Sequence, residues 1–218
     1  MISQIRITAK TNLPTEFGVF QFQSFRDASD DGVGEPHLLL TYGMAGSAVS
    51  LTAQKTAIPL IRIHSECLTG EVFHSNKCDC GAQLQFAMKR IAEQGIGALI
   101  YLRQEGRGIG IESKIQTYAL QELGLDTVDA NLALGRQVDE RDYQLAVSIL
   151  QRLKIKSCHL ITQNPEKLNT LLAAGIDVLS CEDVNIELPQ AAADYLQCKR
   201  QRLGHRRQLV AGNKIARN

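Results

Sequence analysis

No stretch of this 218-residue sequence comes near the roughly 20 consecutive apolar residues needed to span a bilayer. The opening MISQIRITAK has no apolar segment of the kind that marks a secretory signal, so the chain is expected in the cytoplasm. An excess of one charge is lacking too: 24 Lys and Arg stand against 23 Asp and Glu, for a formal net charge of +1. Broad binding along a nucleic-acid backbone normally shows as a basic excess. Neither a nucleic-acid nor a membrane partner is therefore expected, although a few cations could still hold a small anion. There is no internal repeat, and no linker that cuts the chain. What remains is an ordinary apolar fraction of 44%, enough for one sizeable core. In a reducing compartment the six Cys read as thiols or metal ligands rather than as a disulfide framework.

The first third reads as strands: GVFQFQSF (18–25), HLLLTYG (37–43) and IPLIRIHSE (58–66) carry β-type apolar content. The acidic, glycine-bearing segment RDASDDGVGEP between the first two reads as an exposed loop from Arg26 to Pro36. From about Ala82 the period changes. Leu84, Ala87, Met88 and Ile91 fall at helical spacing, and Gly95 follows as a stop. IGALIYLRQ (96–104) is a further strand, a glycine-rich turn feeds a helix, and Tyr143, Ala146, Val147 and Leu150 mark another. CHLIT (158–162) is a strand; Asn164-Pro165 then opens a helix that Gly175 ends. Strands first and mixed elements later predict an α+β fold, a mixed or antiparallel sheet with flanking helices. One domain over 1–205 is expected, followed at 206–218 by a mobile basic tail.

Cys67, Cys78 and Cys80 fall within fourteen residues, in ECLTGEVFHSNKCDCG. Zinc favours thiolates, and three protein ligands with an open fourth position is the pattern of a catalytic site. A metal-free reading, three buried cysteines packed as small apolar side chains, stands beside it. Cys158, Cys181 and Cys198 are isolated and read as core. His64 and His74 are nearby competitors as ligands, each more ordinary as a hydrogen-bonding histidine. The zinc deaminases pair H-x-E with P-C-x-x-C. His64-Ser65-Glu66 supplies the first element, but Cys78-Asp79-Cys80 does not supply the second.

Arg103, Gln104, Glu105 and Arg107 crowd the end of an apolar strand beside Gly106, Gly108 and Gly110. Glycines let backbone N–H groups approach an anion, and a helix N-terminus favours negative charge. The turn is neither a Walker A loop nor G-x-G-x-x-G, so a plain turn is the competing reading. RIHSE (62–66) and TQNPEK (162–167) are two more polar strand ends. Each alone is a solvated surface; together with the cysteines they suggest a pocket.

Taken in order, RIHSECLTGEVFHSNKCDCGAQL, YLRQEGRGIGIESKIQTYALQELGLDTVDAN, LGRQVDERDY and ITQNPEKLNTLLAAGI resemble the GTP cyclohydrolase II family. The resemblance runs from Arg62 to Ile176; the first 60 residues match more loosely, and YLQCKRQRLGH is similar to the family's C-terminal helix. It implies that Cys67, Cys78 and Cys80 bind one zinc per subunit, that Mg²⁺ accompanies the substrate phosphates, and that the chain is a homodimer. The GTP-contacting stretch falls on Arg62, Ile63, His64, Ser65 and Glu66. Gln83, Glu105, Gly106, Arg107, Thr127, Thr162 and Lys167 match further nucleotide-binding positions. Asp139 matches a proton acceptor, Arg141 a nucleophile, and Tyr118 a tyrosine needed for ring opening.

The implied reaction converts GTP to a 2,5-diamino-6-ribosylamino-pyrimidinone 5′-phosphate, formate and pyrophosphate, the opening step of riboflavin synthesis. Hydrolysing an imidazole ring needs a strong nucleophile near neutral pH, which zinc can generate from water. The departing pyrophosphate suits Mg²⁺ and cations such as Arg107 and Lys167. A guanidinium is a poor nucleophile because it stays protonated. Either Asp139 assists Arg141 as a base, or Arg141 only stabilises charge while water attacks. Gln83 and Glu105 are candidates for reading the guanine edge. Two other readings stand beside this one: a paralogue that keeps the formyl group, and a non-catalytic zinc-stabilised nucleotide-binding module.

Overall fold

The computed structural model describes residues 5–32, 34–44, 57–137, 139–184 and 186. The expected tail, the YLQCKRQRLGH segment and Cys198 lie outside these residues. Among these residues eight strands form one sheet: β1 (Ile5–Ile7), β2 (Thr11–Thr15), β3 (Gly18–Asp27), β4 (His37–Tyr42), β5 (Leu60–Ser65), β6 (Gly97–Leu102), β7 (Ser157–Ile161) and β8 (Asp177–Glu182). β1, β2 and β4 all pair with β3 antiparallel, and β4 continues antiparallel onto β6. Beyond that seam β6, β5, β7 and β8 run parallel, in that spatial order. The sheet is mixed and the class is α+β, as the sequence suggested.

The parallel half needs cover on both faces, because crossover connections place helices there. Helix α2 (Cys80–Gln94) links β5 to β6, and its Ala87 and Ile91 pack with Phe20, Leu40, Leu60 and Leu99. On the opposite face α5 (Gln144–Arg152) sets Ala146, Val147, Ile149 and Leu150 against Ile61, Ile63, Ala98, Ile100 and Leu160. Leu171 of α6 (Pro165–Ala173) joins that second cluster. β5 is buried along nearly its whole length because it is sandwiched between the two cores. Asn164 caps α6 by accepting from Glu166 N at 2.9 Å, with Pro165 in the first turn. Losing such a cap typically costs about 1 kcal/mol. Among the described residues no helix is long and apolar enough to cross a membrane.

This winding decides where a ligand can sit. From β5 the chain crosses to β6 on one side; from β7 it crosses through α6 to β8 on the other. Crossovers running in opposite directions favour a ligand site at the carboxyl ends of β5 and β7. The short helix α1 (Leu68–Glu71), a 3₁₀ turn (Glu105–Gly108), α3 (Gly110–Glu122) and α4 (Thr127–Ala133) all follow the carboxyl ends of β5 and β6.

Candidate active site

Cys67 leaves the end of β5 and caps α1, while Cys78 and Cys80 frame the start of α2. Their sulfurs lie within 4.8 Å of one another, with Cys67 Sγ and Cys78 Sγ 3.6 Å apart. Sulfurs about 2.3 Å from a tetrahedral zinc are about 3.8 Å apart, so the donor set fits that ion. Hydrogen bonds from the Cys78 and Cys80 thiols push the Cys67 thiol down against its burial, with Lys114 assisting. Cys78 moves up, chiefly because its proton serves Cys67. One thiolate forms easily here; further ones repel it and call for a cation.

The backbone leaves room for this cluster through Gly70. A Cβ there would stand 2.5 Å from Cys78 Sγ and 3.4 Å from Cys67 Sγ. Gly70→Ala is therefore expected to displace a ligand and weaken metal retention at least about tenfold. Metal analysis after dialysis, with circular dichroism to check folding, measures this. Retention equal to the unaltered chain would show that the sulfurs are not held as described.

Charged groups brace Cys67 from two sides. Glu71, one turn further on in α1, accepts from Cys67 N and from His64 Nε2, both at 2.8 Å, and from Tyr101 OH at 2.6 Å. Burial pushes the His64 imidazole down despite the Glu71 hydrogen bond that opposes the shift. The imidazole stacks on Tyr101 at 5.6 Å between centroids. On the other side Lys114 Nζ donates to Cys67 Sγ at 3.2 Å and to Glu105 Oε1 at 2.7 Å. Nearby, Arg103 Nη1 donates to Glu66 at 2.6 Å; burial raises the Glu66 carboxyl although Arg103 opposes the shift.

The glycine-rich turn carries Arg107 at φ +63°, a left-handed conformation that a non-glycine residue adopts only where its surroundings impose it. Two hydrogen bonds tie this region to the Asp139–Asp142 loop: Glu140 N to Arg107 O at 2.9 Å, and Gln104 Nε2 to Asp142 O at 2.6 Å. Gly108 permits that approach, since a Cβ there would lie 2.8 Å from Glu140 O. The loop delivers a bidentate pair in which Arg141 Nε and Nη2 both donate to Asp139, the former at 2.8 Å. Burial works to lower the Arg141 guanidinium, but its pairing with Asp139 wins and holds it above its usual value. The same bonds, outweighing burial, keep the Asp139 carboxyl low.

One pocket gathers most of the residues singled out in the sequence. Ser65, Glu66, Cys67, Cys78, Cys80, Glu105, Gly106, Arg107, Tyr118, Thr127 and Arg141 all line it. Lys114, Thr117, Gln121 and Asn131 line it as well, and no motif or spacing announced them. Lys77 Nζ sits 4.4 Å from the Tyr118 ring centroid. Asp139 reaches the pocket through Arg141. The remaining residues stand behind the wall. Ile63 faces the core, and Arg62 is buried, donating to Gln83 Oε1 at 2.7 Å and Ile161 O at 3.1 Å. His64 is committed to Glu71. Thr162 and Lys167 lie buried near the carboxyl ends of β5 and β7, with Lys167 Nζ donating to Ile63 O at 2.9 Å. Tyr143 joins the two regions: Arg141 and Lys167 stand 5.9 and 5.3 Å from its ring centroid. Cys158 is fully buried, as expected of a core thiol, and burial pushes it up to about 12.

Comparison with known proteins bears on this arrangement. The GTP cyclohydrolase II family model matches residues 6–183. A GTP cyclohydrolase-2 of Neisseria gonorrhoeae is 47% identical over 197 residues, covering 90% of this chain and 94% of its own. One from Neisseria meningitidis is 45% identical over 205 residues (94% and 98%), and one from Haemophilus influenzae is 42% identical over 204 residues (94% and 90%). Among solved structures, a two-domain 3,4-dihydroxy-2-butanone 4-phosphate synthase from A. baumannii aligns with a TM-score of 0.41 at 16% identity. That alignment covers 84% of this chain and 40% of the other. With the family model spanning most of the chain and full-length relatives above 40% identity, this protein belongs to the GTP cyclohydrolase II family of hydrolases.

Proposed function

We propose that this chain hydrolyses GTP in the cytoplasm, opening the imidazole ring and releasing formate and pyrophosphate. The product is 2,5-diamino-6-(5-phosphoribosylamino)pyrimidin-4(3H)-one, for the first step of riboflavin biosynthesis. The observation that carries the reading is a single pocket with three clustered thiols, Tyr118, and the cations Arg107 and Arg141 on its wall. Cys67, Cys78 and Cys80 are the residues that would hold one zinc, whose chemistry is to make water nucleophilic near neutral pH.

The protein's own groups divide the remaining work. Tyr118, which lines the same pocket as the thiols, passes a proton to or from the opening ring in this reading. Arg107 and Arg141, joined by Lys167, offset charge that develops on the phosphates, where Mg²⁺ would also sit. The ion pair with Asp139 favours reading Arg141 as a fixed cation, with water attacking phosphorus. Glu105, whose carboxylate already serves Leu68 N, Gly106 N and Lys114, supports the turn rather than reading guanine. A homodimer fits the family assignment.

A product assay on zinc-loaded protein with GTP and Mg²⁺ tests the proposal. Equimolar formate and pyrophosphate, with the diamino-pyrimidine mass, are expected. Pyrophosphate without formate would instead indicate a formyl-retaining enzyme. GTP bound with neither product would indicate a nucleotide-binding module.

A further inference from the structure

Lys114 has no part in the chemistry proposed for GTP, yet it is a buried cation, 8% exposed, pointed at a sulfur. Its neighbours Ile115 and Gln116 on α3 are exposed, so the helix is free to place a lysine at the surface and instead turns this one inward. Nζ lies 3.2 Å from Cys67 Sγ and 2.7 Å from Glu105 Oε1. Glu105 is held in turn: Oε1 also accepts from Gly106 N and Oε2 from Leu68 N, each at 2.6 Å. The carboxylate thus bridges the start of α1, the 3₁₀ turn and α3, and its geometry fixes where the ammonium stands.

Charge arithmetic gives this placement a purpose. Three thiolates around a divalent ion carry a net charge of −1 in a half-buried setting, and a buried charge is costly unless it is paired and hydrogen-bonded. A donor to a ligand sulfur both offsets that charge and fixes the sulfur's direction. We propose that Lys114 is a positioning residue for the metal centre: its ammonium donates to the Cys67 thiolate, and Glu105 holds the ammonium in place. The inference rests on the reading that the three cysteines hold zinc.

The test uses the full chain loaded with zinc and follows zinc release to a chromophoric chelator. K114M is expected to release zinc about 10–100-fold faster than the unaltered chain, the usual cost of losing an outer support of a metal ligand. K114R, which keeps a charged donor, is expected to recover most of that loss. In cobalt-substituted protein the sulfur-to-cobalt charge-transfer band is expected to shift in K114M and to return towards its original position in K114R. A lysine that merely holds α3 in place would lower the thermal stability of the metal-free protein and leave both metal readouts unchanged. Unchanged release and an unchanged cobalt band in K114M therefore overturn the inference while leaving the zinc site standing. An unaltered chain that binds no zinc overturns the site and the inference together. Should K114M not fold, E105Q carries the same test, since a weakened grip on the ammonium predicts faster release.

Discussion

Cys78→Ser is expected to abolish stoichiometric zinc binding and to lower formate release by at least about a hundredfold, beyond what losing an outer support costs. Serine keeps the volume but offers a hydroxyl that stays protonated near neutral pH, whereas the site is built for thiolate donors. Cys78 Sγ lies 3.6 Å from Cys67 Sγ, and its loss removes one corner of a three-point set. The wall around it does not depend on that sulfur. Glu71 still holds Cys67 N, and Glu105 still holds Leu68 N and Gly106 N. Folding, checked by circular dichroism, is therefore expected to survive. Full formate release from a zinc-free Cys78→Ser protein would refute a metal role in ring opening.

Tyr118→Phe is the second large effect, and a selective one. A positioned general acid or base contributes about 10²–10⁴-fold, so formate release is expected to fall by that order. Pyrophosphate release is expected to fall far less, because Arg107, Arg141 and Lys167, and not Tyr118, are the groups proposed for the phosphates. Phe keeps the ring on which Lys77 sits, 4.4 Å from the centroid, so the change isolates the hydroxyl. Measuring both products from one reaction separates the cases. Equal loss of formate and pyrophosphate would mean that Tyr118 shapes the pocket rather than serving the ring.

The elements legible in the sequence were those with a strong local pattern. Helix α2 showed its Leu84, Ala87, Met88 and Ile91 stripe and its closing glycine; α6 showed Asn164-Pro165. β6 is a continuous apolar run because it is covered on both faces; β5 is buried along a similar length, with Arg62 and His64 interrupting its apolar residues. β1 and β2 gave no such signal. β1 has only three residues; β2 is largely exposed and polar, and Pro14 inside it speaks against a strand unless β3 supplies the pairing from one side. β8 alternates Val178 with exposed neighbours over only six residues and depends on β7 for its register.

The site divides along the same line. Cys67, Cys78, Cys80 and Arg107 were visible as residue types with a chemistry, Tyr118 and Arg141 only through the family resemblance, and one pocket collects them. Their supports were not visible. Glu71 and Lys114 act on Cys67 from α1 and α3, Tyr101 of β6 braces Glu71, and nothing in their spacing announces a shared target. Glu71 had the nearest thing to a signal, lying one helical turn after Cys67. Arg62 and His64 read as pocket residues by position, but β5 turns both side chains into the sheet–helix layer, where Gln83 pairs with Arg62 Nη2 and Glu71 with His64 Nε2. Only the packing of α1 and α2 over that strand decides this, and no pattern within RIHSE contains it.

The account stands or falls on whether Cys67, Cys78 and Cys80 hold the metal on which ring opening depends. The direct measurement is a zinc titration of chelator-stripped protein with GTP and Mg²⁺ present, following formate. Formate release that is absent without zinc and saturates at one zinc per chain is the predicted result. Formate release that is undiminished in the stripped protein, or indifferent to added zinc, would contradict it.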